Sequence, residues 1–252
     1  QVVPGRGLPG TAFVIFGRSP SRGTLSTVDL YGISYGTWGF QLIGESDGGG
    51  FGGSIRSAGD FNKDGFKDLI IGASQMSELS LTNNGVVYVL FGNAGWSAPT
   101  AAPSRATAPS VVAFTNQDLT VRNAGIDSIM IVGEASGGQL GEHINQGKPC
   151  DVNGDGIHDL LFCSTAGNSG AGLAYVIYGH TEPFNDFSLL GQPGYSTGFK
   201  INGYVNSDQF GAACSCAGDV NGDGIDDIVL GAPGTSAGMI TSAGAVYVLY
   251  GR

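Results

Sequence analysis

The sequence is poor in basic residues and in long apolar runs, and both shortages narrow the possible functions. Only 11 of its 252 residues are lysine or arginine, and they are scattered. Nucleic-acid binding needs a clustered basic patch, so we expect no nucleic-acid partner. No apolar run reaches the roughly 18 residues that a membrane-spanning helix needs, so we expect no membrane insertion. The chain starts at Gln1 without a signal peptide, so we expect a processed chain or an excised fragment.

Residues that usually perform catalysis are scarce as well. Only three histidines occur, and none stands in an evident register with a nucleophile and an orienting group. The segment Gly234–Gly238 matches the Gly-x-Ser-x-Gly elbow of hydrolases, but that elbow needs a following helix, and we predict a strand there. Two glycine patterns, at 5–10 and 48–53, match a dinucleotide fingerprint without opening a helix. We therefore predict a protein that is not an enzyme.

The cysteines are few, and their spacing does not indicate a metal site. They are Cys150, Cys163, Cys214 and Cys216, and none forms the Cys-x-x-Cys pair that is typical of zinc sites. Four cysteines allow three pairings, and Cys214 and Cys216 share one face of a predicted strand, so we do not expect them to pair together. We expect at least one disulfide in an oxidising compartment. The alternative is a set of buried free thiols.

Glycine and acidic residues are abundant. The chain contains 45 glycines and carries a net charge of −10, while 41% of its residues are hydrophobic. Such a glycine content suits many tight turns between closely packed strands. The length suits one all-β domain of the larger kind, which we assign to residues 1–252.

One nine-residue pattern occurs three times and accounts for much of the acidity. Side chains with oxygen atoms stand at positions 1, 3, 5 and 9, and glycine stands at position 6. The three copies, named here loop 1, loop 2 and loop 3, are Asp60–Asp68, Asp151–Asp159 and Asp219–Asp227.

This pattern has the chemistry of a calcium-binding loop. Ca²⁺ takes six to eight oxygen ligands from carboxylates, amides and backbone carbonyls, and glycine at position 6 permits the sharp turn that aims the carbonyl of position 7 at the ion. We therefore predict three Ca²⁺ sites. Their ligands are Asp60, Asn62, Asp64, the Phe66 carbonyl and Asp68; Asp151, Asn153, Asp155, the Ile157 carbonyl and Asp159; and Asp219, Asn221, Asp223, the Ile225 carbonyl and Asp227.

The flanking sequence excludes an EF-hand. An EF-hand needs a glutamate at position 12 and helices on both sides, but position 12 is Ile71, Phe162 or Leu230. The residues after each loop are apolar and β-prone, so each loop joins two strands of a hairpin. The alternative is a turn that is held only by local side-chain hydrogen bonds.

The strands around the loops repeat too. A Tyr-Val strand such as Val87–Gly92 recurs, and the intervals between its corresponding aromatic residues are 88−13=75, 175−88=87 and 247−175=72 residues. Such a period indicates a repeat architecture with four antiparallel strands per unit. We place the repeats at approximately 38–92, 128–179 and 199–251, an N-terminal outer strand at 12–17 and an exposed Ser/Thr/Pro/Ala-rich insertion at 93–110.

These residues resemble the FG-GAP repeats of integrin α-subunit β-propellers. The resemblance rests on Phe51-Gly52 and Phe210-Gly211, on the three loops and on Gly231-Ala-Pro233. It implies an all-β, β-propeller-like fold in which the Phe-Gly strand is innermost, the Gly-Ala-Pro and Tyr-Val strands follow outward, and a Phe-x-Ile-x-Gly strand is outermost. The second repeat departs from the family, with Leu140-Gly and Cys163-Ser-Thr at the motif positions.

The family's blade assignment gives this chain two outer strands at its start and three inner strands at its end. Three arrangements follow: closure into a small ring, completion by a neighbouring copy, or a piece of a larger propeller. We predict an extracellular or cell-surface, Ca²⁺-stabilised structural or adhesive module whose partner is itself or a protein or glycan ligand. The alternatives are a lectin-like propeller, with Trp38 and Trp96 stacking on sugars, and a non-catalytic part of a secreted hydrolase.

Overall fold

The computed structural model describes residues 9–17, 39–93, 128–181, 184–189 and 197–252, and nearly all of the regular secondary structure in these residues is β-strand. Most of the predicted insertion at 93–110 lies outside these residues, as do Trp38 and Trp96. Among the described residues, no helix is both long enough and apolar enough to span a membrane.

The residues that the structure describes form fourteen strands in four sheets, named here A to D. Sheet A contains β1 (Pro9–Ile15) and β2 (Gly39–Asp47). Sheet B contains β3 (Phe51–Gly59), β4 (Asp68–Ala73), β5 (Val86–Leu90), β6 (Ser128–Val132) and the two-residue strand β10 (Phe187–Ser188). Sheet C contains β7 (His143–Ile144), β8 (Leu160–Ser164), β9 (Leu173–Ile177) and β11 (Gly198–Asn202). Sheet D contains β12 (Ala213–Gly218), β13 (Asp227–Ala232) and β14 (Ala245–Leu249).

The strand order agrees with the resemblance in the sequence. Sheet B runs β3-β4-β5-β6 and sheet C runs β7-β8-β9-β11, with each of these neighbours antiparallel. Sheet D has only the first three of these strands and sheet A only the last two. None of the sheets formed by the described residues closes on itself. The sequence pattern gave no sign of β10, which adds to β6 in parallel.

The sheets stack face to face in the order A, B, C, D. One apolar cluster lies between sheets A and B, a second between B and C, and a third between C and D. Alternate residues of β5 face opposite sides: Val87 and Val89 pack toward sheet C, whereas Val86, Tyr88 and Leu90 pack toward sheet A. A strand that is buried on both faces must be apolar at every position, which explains the continuous apolar runs in the sequence.

Sheet D differs because one of its faces is uncovered. The side chains of Ile228, Leu230 and Ala232 are buried against sheet C. In β14, by contrast, Val246, Tyr247, Val248 and Leu249 are between 41% and 71% exposed. All five residues of the equivalent strand, β5, are 0% exposed, so burial of this strand depends on a following strand and a following sheet.

Candidate metal centre

Each predicted loop connects the first two strands of its sheet. Loop 1 follows β3 and leads into β4, and loop 3 follows β12 and leads into β13. Loop 2 follows β7 and leads into β8, and a single bridge between Cys150 and Asp159 closes its base. The predicted placement in hairpins is therefore confirmed for all three loops.

Hydrogen bonds organise the side chains at positions 1, 3 and 5 of each loop: the asparagine at position 3 bonds to the carboxylate of position 5, and the carboxylate of position 1 accepts bonds from backbone N–H groups of the loop. In loop 3, Asp219 Oδ1 accepts hydrogen bonds from the backbone N–H groups of Gly222 at 2.6 Å and Asp223 at 3.0 Å, and Asp219 Oδ2 accepts one from Gly224 at 2.8 Å. The Asn221 side chain donates to Asp223 Oδ2 at 2.8 Å. These short-range bonds between side chain and backbone define Asx-type turns.

The same network recurs in the other two copies. The amide Nδ2 of position 3 donates to the carboxylate of position 5 at 2.9 Å in loop 1 and 3.0 Å in loop 2. The backbone N–H of position 7 donates to the same carboxylate at 2.8 Å in both loops. The repeated sequence pattern therefore specifies one conformation three times.

Glycine at position 6 is required by the backbone conformation of the loops. Gly65, Gly156 and Gly224 have φ values of +93°, +79° and +90°. Residues with a side chain rarely adopt this left-handed region. The turn that brings position 7 back toward position 1 therefore depends on these glycines.

The aspartate at position 9 is buried and crosslinks the backbone. Asp68 Oδ2 accepts a hydrogen bond from the Phe61 N–H at 2.7 Å, and Asp68 Oδ1 accepts one from the Gly92 N–H at 2.8 Å. Asp159 and Asp227 make the equivalent pairs of bonds with position 2 of their loop and with the residue that ends the Tyr-Val segment. Position 9 therefore ties each loop to the third strand of its sheet.

Burial shifts the protonation equilibrium of Asp68 and Asp159. Burial raises the pKa of Asp159 to about 7 and that of Asp68 to about 6, from an ordinary value of 3.8, and the hydrogen bonds from backbone N–H groups oppose this shift. The exposed Asp219 behaves in the opposite way, because the hydrogen bond from Gly224 N–H, followed by those from neighbouring loop N–H groups, lowers its pKa.

The donor set and one uncompensated atom fit a hard cation. Every predicted ligand is an oxygen atom, which is the ligand type that Ca²⁺ prefers. Asp60 Oδ1 is buried and has no hydrogen-bond partner, although buried polar atoms are normally paired. In the part of the chain that the structure describes, no group of three or more His, Cys, Asp or Glu side chains is arranged to hold a metal ion. Two features of the loops account for this: one predicted ligand in each loop is an asparagine, which such a group does not include, and the position-9 carboxylate already accepts hydrogen bonds from the backbone.

Position 8 contacts the preceding loop, which the sequence pattern did not indicate. In loop 2, His158 Nδ1 accepts a hydrogen bond from the Asp60 N–H at 3.3 Å. Asp226 Oδ2 accepts the equivalent bond from the Asp151 N–H at 3.1 Å. Position 8 differs in every copy (Lys67, His158, Asp226), so repetition gave no signal for this role.

One disulfide joins sheets C and D. It links Cys150, next to loop 2, with Cys216 on β12, two positions that are 66 residues apart in sequence. The prediction of at least one disulfide is thus confirmed. Cys163 and Cys214 are free and buried.

A protein-family model confirms the resemblance that the loops and strands suggested. The model described as FG-GAP repeat matches residues 51–90 and 215–249. This chain contains FG-GAP repeats. The two matches cover β3–β5, including loop 1, and most of sheet D, including loop 3. Residues of sheet C, where Leu140 and Cys163 depart from the motif, lie outside the matched FG-GAP regions.

Curated proteins that match the FG-GAP chain fall into two kinds. It is 36% identical over 106 residues to phosphatidylinositol-glycan-specific phospholipase D of Mus musculus, an alignment that covers 40% of this chain and 12% of that protein. It is 31% identical over 127 residues to integrin alpha-PS2 of Drosophila melanogaster, covering 46% and 8%. Phosphatidylinositol-glycan-specific phospholipase D of Dictyostelium discoideum is 28% identical over 208 residues, an alignment that covers 79% of this chain and 19% of that protein. The chain thus spans about a tenth to a fifth of the length of these relatives.

Proposed function

We propose that this chain is an extracellular structural or adhesive module whose FG-GAP repeats are blades of a β-propeller stabilised by Ca²⁺. The observation that carries the proposal is the loop conformation, in which the oxygen-bearing side chains of positions 1, 3 and 5 form hydrogen bonds within the same nine-residue turn in all three copies. The buried, unpartnered Asp60 Oδ1 adds support, since a cation would give this atom the partner that it lacks.

In this proposal the ligands are the fifteen residues predicted from the sequence. The side chains of positions 1, 3 and 5 supply oxygen atoms, and the backbone carbonyl of position 7 supplies another. The position-9 carboxylate can serve the backbone and a cation together, because its two oxygens offer about four acceptor sites, of which two are used by N–H donors. A bound cation would offset the repulsion between the carboxylates, so its binding energy would add to the folding energy.

A non-catalytic role accords with the positions of the candidate catalytic motifs. Gly234–Gly238 lies in the connection between β13 and β14 and is followed by a strand, not by the helix of a nucleophile elbow. The matched relatives include a protein named as a phospholipase, but the alignment covers only 12% of it. We therefore assign the chain no hydrolytic step of its own.

The disulfide between Cys150 and Cys216 supports the extracellular location. Disulfides form and persist in oxidising compartments and are rare in the cytosol. The proposed Ca²⁺ sites also suit this location. Extracellular modules bind Ca²⁺ with dissociation constants of roughly 10⁻⁴–10⁻³ M, so loops of only weak affinity would be occupied there.

The adhesive part of the proposal rests on sheet D. In β14, the hydrophobic side chains are exposed, and the strand lies at the edge of its sheet. An exposed, apolar edge strand is a template for pairing with another chain. We assign this edge to an N-terminal strand of a second copy, which gives head-to-tail assembly.

A cavity between sheets C and D favours the lectin-like function as a second candidate. Its volume is about 480 Å³, and its lining includes the aromatic residues Tyr178, Phe199 and Tyr250 together with Arg252. Aromatic side chains with a polar group can stack on a sugar and hydrogen-bond to it. Binding of glycans on an array by the wild type, lost in Tyr250→Ala, would support this candidate.

Thermal unfolding with and without Ca²⁺ tests the main proposal. A site that is saturated at about 100 times its dissociation constant adds about 2.7 kcal/mol, which for a chain of this size raises the Tm by roughly 5–10 °C per site. We expect EDTA to remove this increase in Tm. We expect Asp223→Ala to reduce the Ca²⁺-dependent increase in Tm by the contribution of one of the three sites.

The matched control is Asp208→Ala, which removes a carboxylate outside the three loops. It should keep the full Ca²⁺-dependent increase in Tm. If the wild-type Tm is the same in Ca²⁺ and in EDTA, the calcium proposal is wrong. Mg²⁺ at equal concentration should give a smaller increase, because Mg²⁺ requires near-ideal octahedral geometry.

A further inference from the structure

Two buried thiols face each other at the boundary between sheets C and D. Cys163 lies on β8 and is 0% exposed, and Cys214 lies on β12 and is 1% exposed. Both belong to the apolar cluster between the two sheets. The two side chains are close enough that Cys214 contributes, after burial, to raising the pKa of the Cys163 thiol.

The backbone around the two thiols is fixed by hydrogen bonds that cross the same boundary. The Cys214 carbonyl accepts a hydrogen bond from the Gln146 N–H at 2.9 Å. Asn145 donates its N–H to the Leu161 carbonyl at 2.9 Å, and its side-chain oxygen accepts a hydrogen bond from the Cys216 N–H at 2.9 Å. The strand that carries Cys214 is therefore held against residues 145–146, which follow β7, and Asn145 is in turn bonded to β8.

Side-chain packing also brings β8 close to the start of sheet D. A Cβ atom built on Gly211 would lie 3.2 Å from the Cβ of Cys163. Gly211 precedes Cys214 by three residues, and only a glycine leaves room for this approach. The existing Cys150–Cys216 disulfide crosses the same boundary, and Cys216 is two residues from Cys214 on the same strand.

The equivalent positions in the other repeats show what the two cysteines replace. Cys163 stands where the other copies have Gly72 and Gly231, and Cys214 stands where they have Ile55 and Ile144. At the boundary between sheets B and C, the equivalent places therefore hold a glycine and an isoleucine. Only the boundary between sheets C and D has two side chains of similar, intermediate size, and both are thiols.

We propose that Cys163 and Cys214 form a second disulfide between sheets C and D when the protein folds in an oxidising compartment. Oxidation removes one proton from each thiol and two electrons from the pair, and a sulfur–sulfur bond forms. A small-molecule disulfide such as oxidised glutathione accepts the electrons and protons, its own sulfur–sulfur bond breaks, and two small thiols are released.

The bond forms while the chain is folding. Burial, and then the contact with Cys214, raise the pKa of the Cys163 thiol well above its usual range. Thiolate is the reactive species in disulfide exchange, so the buried pair reacts slowly once both sheets are in place. Protein that folds in a reducing compartment keeps the two thiols, and protein that folds with an oxidant acquires the disulfide.

Disulfide mapping after refolding tests the proposal. The reduced, unfolded chain is refolded with glutathione and oxidised glutathione, free thiols are alkylated under denaturing conditions, and the product is cleaved on the amino side of aspartate. This cleavage places Cys150, Cys163 and Cys214 on three separate peptides: the first ends at Cys150, the second starts at Asp159, and the third, from Asp208 to Gly218, contains both Cys214 and Cys216.

The two outcomes are distinct. If the proposal holds, all three peptides remain joined until a reductant is added, and the oxidised chain has no alkylated cysteine. If Cys163 is recovered on a separate, alkylated peptide while the other two peptides are joined, only the Cys150–Cys216 bond forms and the proposal is wrong.

Single-cysteine variants identify the partner of Cys163. Cys214→Ala should release the Cys163 peptide and leave the Cys150 peptide joined to the Asp208–Gly218 peptide. Cys216→Ala should release the Cys150 peptide and leave Cys163 joined. Retention of Cys163 in the Cys214→Ala variant would show pairing with Cys216 and would overturn the proposal. The wild-type map shows without any variant whether Cys163 is disulfide-bonded, and either variant by itself identifies the partner, so one variant that folds is enough.

Discussion

The aspartate at position 9 of each loop is both a predicted metal ligand and an acceptor of two backbone hydrogen bonds. Asp159 is 2% exposed, and both of its oxygens accept hydrogen bonds from backbone N–H groups. An aspartate at this position was predicted as a metal ligand from its spacing alone. The structure adds that the same carboxylate organises the backbone, a role that spacing within a loop does not reveal because one of the two donors is 20 residues away.

This burial predicts a pH dependence of stability in metal-free protein. The pKa of Asp159 is raised from 3.8 to about 7 on folding, so the folded state binds the proton more tightly than the unfolded state does. The resulting stabilisation is complete below about pH 4 and is lost as the pH rises through about 7. In EDTA, we expect the unfolding free energy of the wild type relative to Asp159→Asn to fall between these pH values, as measured by urea denaturation.

A second aspartate gives a control of opposite sign. The pKa of Asp219 is lowered by loop N–H groups, so its stabilisation is present above the unfolded pKa and is lost as the pH falls. The wild type should therefore lose stability relative to Asp219→Asn as the medium is acidified below about pH 4. Parallel pH profiles for the wild type and Asp159→Asn would contradict the role that we assign to burial.

At the scale of elements, the loops need glycine at position 6 because of its backbone conformation. At Gly224 this requirement can be tested separately from side-chain packing. Gly224 has a φ of +90°, and no atom lies within 4 Å of a Cβ built on it. A left-handed conformation costs a residue with a side chain roughly 1–2 kcal/mol. We expect Gly224→Ala to lower the unfolding free energy by about this amount in EDTA, and also to weaken the Ca²⁺-dependent increase in Tm.

Gly17→Ala is the matched control for this substitution. Gly17 also has no atom within 4 Å of its built Cβ, and its φ is outside the left-handed range. The alanine should leave the unfolding free energy within about 0.5 kcal/mol of the wild-type value, as is usual for surface substitutions. Equal effects of the two substitutions would mean that backbone strain does not account for glycine at position 6.

The strand order of sheets B and C could be predicted from sequence, whereas the contacts between sheets could not. Repetition fixed the strand order, because the same four patterns of residues recur around each loop. The hydrogen bond from the Asp60 N–H to His158, the addition of β10 to β6 and the pairing of Cys150 with Cys216 each involve positions that differ between copies. Such contacts arise from packing of one sheet on the next and have no period in the sequence.

At the scale of the whole molecule, the exposed side of sheet D predicts assembly. If β14 pairs with an N-terminal strand of a second copy, native mass measurement at micromolar concentration should show species larger than one chain. Val246→Lys places a charge on a side chain that is 71% exposed, so we expect it to shift the distribution to the single chain with little change in Tm. A lysine at a strand edge is a common defence against edge pairing.

The control substitution lies outside the strand. Met239→Lys adds the same charge at a fully exposed residue in the connection between β13 and β14. It should leave the mass distribution of the wild type unchanged. A single chain for the wild type at all concentrations, with and without Ca²⁺, would exclude the proposed pairing of β14.

The disulfide between Cys150 and Cys216 has a consequence for proteolysis. It encloses loop 2, all of β8, β9 and β11 and the start of sheet D in one covalent ring. A protease that cuts the chain once anywhere between these cysteines opens the ring but separates nothing, so the two fragments remain one molecule. In an extracellular environment rich in proteases, such a cut would be visible only after reduction.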